Sequence, residues 1–215
     1  MTIENDVGDG GRFAFLKPSA ECPRPIYDQI LFEANGCVVT PTLGSILPNW
    51  LLIVPRLRTL NFRRWGESTG VSPMTVIEAV MARCGASKQT LWFEHGPAQT
   101  KSVLGCGVDQ AHLHLIYDAP FSADELRLNA AETGKLDWSI GQPESVYASL
   151  LPRHSYLVVG SEKIAGYVED VEHVGSQFLR KVIAGMVNRA DSWNYQTHPH
   201  LAHIRETIRS FTAAS

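Results

Sequence analysis

A chain of 215 residues with 44% apolar and 19% charged side chains is long enough for one sizeable domain or two closely packed halves, and its composition is ordinary for a globular protein. A formal net charge of −3 leaves no dominant basic surface, which argues against bulk nucleic-acid binding. A nucleotide-sized anion, which needs only a few local donors, is not excluded. The N-terminal "MTIENDVGDGGRF" lacks the basic start and apolar run of a secretory leader, and "NWLLIVP" is too short to cross a bilayer. The expectation is a cytoplasmic protein with no membrane partner.

Residues 1–20 read as a flexible tail. Two β-like runs follow, "IYDQILFEA" and "CVVTPT", flanking Asn35-Gly36, a dipeptide that tolerates the positive φ of a tight hairpin turn. "WLLIVP" reads as a buried strand closed by Pro55. In "SPMTVIEAVMARCG", Ser72 suits the cap, Pro73 the first turn and Gly85 the exit, while Ile77, Val80, Met81 and Cys84 recur at helical spacing. "TLWFEHG" is a strand, "PAQTKSVLGCG" a polar loop, and "DQAHLHLI" a strand that carries two histidines. Beyond Pro120, "SADE" is a capping box, and "PRHSYLVVGSEKIAGYV" is a hairpin around "GSEK". Phe178, Leu179, Val182, Ile183, Met186 and Val187 form the apolar stripe of a long helix, and Leu201, Ile204, Ile208 and Phe211 that of the last. The elements predict an α+β fold with a mostly antiparallel sheet and flanking helices. Residues 21–120 form its core, and 121–215 a C-terminal α/β extension packed on that core. Cys22, Cys37, Cys84 and Cys106 lack any CxxC spacing and read as free thiols.

On a strand, residues two apart share a face. Gln110, His112 and His114 therefore point one way, and Ala111, Leu113 and Leu115 the other. Burying the polar set without partners would cost on the order of a few kcal/mol, so it faces a cleft or solvent. One reading is metal binding, since His-x-His holds zinc or iron in several folds. Asp109, however, falls on the opposite face, and neither the cysteine spacing nor the length asks for a metal site. A second reading is covalent catalysis: an imidazole with a pKa near ~6.5 keeps a lone pair at neutral pH and can attack phosphorus. A second imidazole on the same face can then steady the charge on the phosphoryl oxygens.

The motif Gln110-Ala111-His112-Leu113-His114-Leu115-Ile116 resembles the signature of the histidine triad (HIT) superfamily, His-φ-His-φ-His-φ-φ, with Gln in place of the first His. "GSILPNWLLIVPR", the helix at 73–84, "WFEHG" and the approach "GCGVD" follow in the order of that family, so the resemblance covers roughly residues 26–120. It implies a HIT-like fold and a nucleotide hydrolase or nucleotidyl transferase acting on an α-phosphate through a nucleotidyl-histidine, with no cofactor and no metal. His112 would be the nucleophile, His114 a donor to phosphate oxygen, and Gln110 the occupant of the first His position. Gly105-Cys106-Gly107 stands where relatives often carry Gly-Gln-Ser or Gly-Gln-Thr, leaving backbone N–H groups of Gly105 and Gly107 as donors. Trp50 stands where many relatives have His. The implied partner is a nucleotide or nucleotide conjugate; relatives are commonly homodimers, though the C-terminal half could cover that surface and leave a monomer.

From position alone, His95 can reach the cleft or cap a turn, and Lys101 and Ser102 can meet a phosphate tail or belong to a solvated loop. His198, His200 and His203 read as the start of a surface helix rather than a metal site. Two alternatives stay open beside the HIT-type enzyme: a degenerate HIT domain that binds a nucleotide or partner without turnover, motivated by Gln110 and Trp50, and a metal-dependent hydrolase.

Overall fold

The first hairpin of the sheet turns on Asn35 and Gly36, at φ of 49° and 76°. That pair of left-handed residues matches the twist of the strands it joins, β1 (Phe32–Ala34) and β2 (Cys37–Pro41). The computed structural model describes Phe13, Leu16 and residues 25–85, 89–105 and 108–214. The first β-like run is shorter than its sequence predicts: Ile26–Asp28 is a 3-10 turn whose Asp28 N–H donates to the Pro25 carbonyl at 2.9 Å.

β3 (Trp50–Pro55) is buried along its whole length and pairs with β2. Next comes a helix with little local signal in the sequence, α1 (Phe62–Thr69). Asn61 caps it by accepting the Arg64 N–H, and Gly70 ends it at φ 71°. Its apolar signal is only Phe62 and Trp65, too little to register as a periodic stripe. α2 (Pro73–Cys84) has the cap, proline and exit glycine expected of it, with Ser72 accepting the Met74 N–H and Gly85 at φ 56°. β4 (Leu91–Gly96) and β5 (Leu113–Ile116) follow. α3 (Ala123–Gly134) opens on the Ser122–Glu125 capping box. β6 (Ser139–Gly141), α4 (Pro143–Ser149), β7 (Tyr156–Gly160), β8 (Ala165–Glu169), α5 (Phe178–Met186) and α6 (Leu201–Ala213) complete the chain.

The fold is α+β. One eight-stranded sheet runs β1-β2-β3-β5-β4-β7-β8-β6, every neighbouring pair antiparallel. The second half of the chain continues this sheet, because β7 pairs directly with β4. One face, with Leu51, Ile53, Leu113 and Leu115, packs against α1, α2 and α4. Each such side chain stabilises by roughly 1.5–3 kcal/mol when fully buried. The other face, with Trp50, Phe93, Ile116 and Val159, packs under α3 and α5. Farther along that second face, Val38, Leu52 and Val54 are covered by Phe13, Leu16 and Ile30. The rest of the expected N-terminal tail lies outside the described residues. Between these two apolar patches a cleft opens, and the histidine segment borders it.

Cys37 and Cys84 are buried thiols whose pKa is pushed up to about 12, chiefly by desolvation; Cys22 and Cys106 lie outside the described residues. Among the described residues, no helix is long and apolar enough to cross a membrane.

Candidate active site

The alternation read from the sequence holds. Ala111, Leu113 and Leu115 enter the core beneath α1 and α2, while His112 and His114 line the cleft. The strand itself is shorter than expected, beginning only at Leu113. Ahead of it the Ala111 N–H donates to the Thr59 carbonyl at 2.6 Å instead of joining the ladder.

The two imidazoles are held in opposite tautomers. His112 Nδ1 lies 3.0 Å from the Gln110 carbonyl oxygen. A carbonyl can only accept, so Nδ1 carries the proton and Nε2 the lone pair. His114 Nδ1 lies 3.0 Å from Trp50 Nε1. An indole N–H can only donate, so here Nδ1 holds the lone pair and Nε2 the proton. The rings stand 5.5 Å apart at 79°. His114 is 5% exposed and stacks on Phe93 at 4.6 Å and 19°. His112 is only half-buried, with the Phe13 ring 5.6 Å away. One ring therefore presents an Nε2–H and the other an Nε2 lone pair, before any ligand arrives.

Gln110 contributes through its backbone. Its side-chain Nε2 donates to the Pro55 and Leu57 carbonyls at 2.9 and 3.3 Å, tying the histidine segment to the end of β3. His95 lines the cleft, but its Nε2 accepts the Leu179 N–H at 3.2 Å and so caps α5. Burial, reinforced by the proximity of His112 and Arg180, lowers its pKa to about 3, so it stays neutral, with Nε2 engaged on α5 and the proton on Nδ1.

Three expected contacts are not brought to the cleft. Ser102 Oγ donates to Glu172 at 3.0 Å and accepts the Leu104 N–H. The Lys101 N–H donates to Asp109 Oδ1 at 2.8 Å on an exposed loop. Gly105 packs against Pro97, and its carbonyl accepts the Val108 N–H. From this loop it is Val108 that reaches the cleft; Gly107 lies outside the described residues. His198, His200 and His203 stack in series, with rings 6.0 and 5.5 Å apart. His200 Nε2–H donates to the Ser192 carbonyl and His203 Nδ1–H to that of Ser45. Among the described residues, no three His, Cys, Asp or Glu side chains converge on a common point that could hold a metal.

One residue behind the cleft and three that line it carry no sequence signal for their roles. Trp50, wholly buried, sets the His114 tautomer. Gln177, Arg180 and Tyr195 come from the second half of the chain. Arg180 sits within the apolar stripe of α5, where its buried position is invisible without the fold. The free space of the cleft is small, about 50 Å3, against the roughly 300–1,000 Å3 of sites that enclose a whole nucleotide-sized ligand. It accommodates the reacting group rather than an entire substrate.

No family model matches this chain, and no curated protein is significantly similar to it.

Proposed function

We propose that the protein is an enzyme of the histidine triad type that cleaves a nucleotide conjugate at its α-phosphorus. His112 Nε2 attacks in line. The Nε2–P bond forms as the bond to the leaving group breaks, and the leaving group takes a proton from solvent. The resulting cationic ring keeps its Nδ1–H on the Gln110 carbonyl. His114 Nε2–H donates to a non-bridging oxygen as charge develops, a contribution that mutagenesis of comparable donors puts at about 100- to 1,000-fold. Water or another acceptor then attacks phosphorus, breaks the N–P bond and frees the nucleotide.

The opposite tautomers carry this reading, since a nucleophile and a donor are what such a step needs. Neither requires a metal or cofactor in these roles. The apolar wall of Phe13, Leu43 and Leu52 takes the nucleoside along the open side of the cleft. The test is incubation with adenosine 5′-phosphoramidate and with diadenosine polyphosphates. AMP release, with an acid-labile adduct on His112, is the expected result. Ligand binding with neither product would favour a domain that binds without turnover, a reading motivated by a Gln110 side chain tied to Pro55 and Leu57 rather than joining the imidazoles.

Trp50→Phe provides an independent check on the positioning. It keeps an aromatic ring but removes the N–H, leaving His114 Nδ1 without its donor and the ring free to change tautomer. The expected result is a fall of about tenfold in kcat, or ~1.4 kcal/mol, with KM little changed. An unaltered kcat in single-turnover measurements would show that the tautomer of His114 is immaterial.

A further inference from the structure

We infer that the N-terminal end of α5 forms, beside His112, a subsite for a second phosphoryl group, one that bears a P–OH: the β-phosphate of a nucleoside diphosphate, or the free phosphate ion that corresponds to it in the reverse direction. This rests on the reading of His112 as the group that attacks phosphorus.

The marker is Gln177. It precedes α5 in a left-handed conformation (φ 56°), makes no side-chain cap, and is 7% exposed, yet among the described residues its buried Oε1 has no hydrogen-bond partner. A buried amide oxygen left in that state costs about 1–3 kcal/mol, and this one belongs to a residue that lines the cleft holding His112 and His114. No donor among the described residues meets it; a ligand hydrogen reaching it from the cleft would satisfy it. The neighbouring charge indicates which ligand. Arg180, 3% exposed, lines the same cleft. Its guanidinium is held by donation to the Gly44 and Trp193 carbonyls and lies 5.1 Å from the Trp50 ring. A fixed cation favours an anion. The end of α5 adds partial positive charge, although the Leu179 N–H is already taken by His95. An acceptor beside a cation selects an oxyanion that also carries a hydrogen. A phosphate monoester near neutral pH is such a group, whereas a phosphodiester and sulfate are not.

The same subsite serves both directions of one balanced step. When phosphate attacks the nucleotidyl-histidine, one of its oxygens bonds to the α-phosphorus, the N–P bond breaks and a nucleoside diphosphate forms. In reverse, His112 attacks the α-phosphorus of the diphosphate and expels phosphate.

The probes are inorganic phosphate, sulfate and ADP, with full-length wild-type and Gln177→Glu protein. Gln177→Leu is a second variant; it removes an unpartnered oxygen and so should melt no lower than wild type. Phosphate should bind the wild type at least tenfold more tightly than sulfate, and both variants should lose at least tenfold in phosphate affinity. ADP formed from adenosine 5′-phosphoramidate plus phosphate assigns the subsite to the free ion as acceptor. AMP formed from ADP without such synthesis assigns it to the leaving phosphate. Equal affinity for phosphate and sulfate, or unchanged phosphate affinity in folded Gln177→Glu, overturns the subsite. If the subsite binds phosphate as expected but phosphoramidate gives neither AMP nor adduct, it is the reading of His112 that fails.

Discussion

Replacing His112 with alanine should lower kcat for adenosine phosphoramidate by at least about 10,000-fold, the scale of loss when a covalent nucleophile is removed from a site that otherwise persists. The fold should survive. His112 is half-buried, and its hydrogen bond to the Gln110 carbonyl is worth about 1 kcal/mol net. Melting temperature and near-ultraviolet circular dichroism should therefore stay close to wild type. His114→Ala makes the contrast. It removes a charge-stabilising donor but not the bond-forming atom, so the loss should be about 100- to 1,000-fold, with the adduct on His112 still detectable in a quench. Turnover that persists in folded His112→Ala, or an adduct that moves to His114, would refute the proposed assignment of nucleophile and donor.

The parts of this molecule legible in the sequence are those written in local rules. Asn35-Gly36, Ser72-Pro73, Gly85 and the Ser122–Glu125 box each specify a turn or a helix end within a few residues. The alternation at 111–115 specifies which side of the sheet each histidine faces. What was not legible depends on distant partners. Gln110 was expected to act by its side chain, which is instead drawn to the carbonyls of Pro55 and Leu57, 55 and 53 residues away in sequence. Trp50 looked like a lost histidine; only the register Leu52↔His114 and Trp50↔Ile116 brings its N–H to His114. Arg180 and Gln177 reach the cleft because β7 joins β4 and α5 packs over that face. The apolar stripe that begins at Phe178 marks a helix but not which sheet face it covers. The site thus combines a motif readable at short range with a wall that exists only after the two halves of the sheet have joined.

The opposite face of β4 carries the other large expected effect. Glu94 is wholly buried, and its two oxygens accept from the Phe62 N–H at 2.7 Å and the Tyr156 hydroxyl at 2.9 Å. Gly96 makes the approach of Tyr156 feasible, since a Cβ at Gly96 would stand 2.1 Å from that ring. Desolvation raises the Glu94 pKa from 4.5 to about 7, against the opposing pull of these hydrogen bonds. Between pH 4.5 and 7 the folded protein therefore holds a proton that the unfolded chain has released. The slope of unfolding free energy with pH is negative across that window. Stability is highest below the unfolded pKa and declines as pH rises through 7, by an amount bounded at about 3 kcal/mol. Glu94→Gln keeps an acceptor for Phe62 and a polar partner for Tyr156 without the charge. It should flatten this window and exceed wild type in stability at pH 8, where the native carboxylate is ionised. Glu94→Ala leaves both partners unmet beside a void and should lose about 3 kcal/mol or more even at pH 5. Denaturant midpoints measured from pH 4.5 to 8 decide the matter: a wild-type slope that persists undiminished in Glu94→Gln would mean that another group binds the proton. Because Glu94 lies between Phe93, which stacks on His114, and His95, which caps α5, the alanine variant should also lose activity through displacement of β4, while the glutamine variant should not.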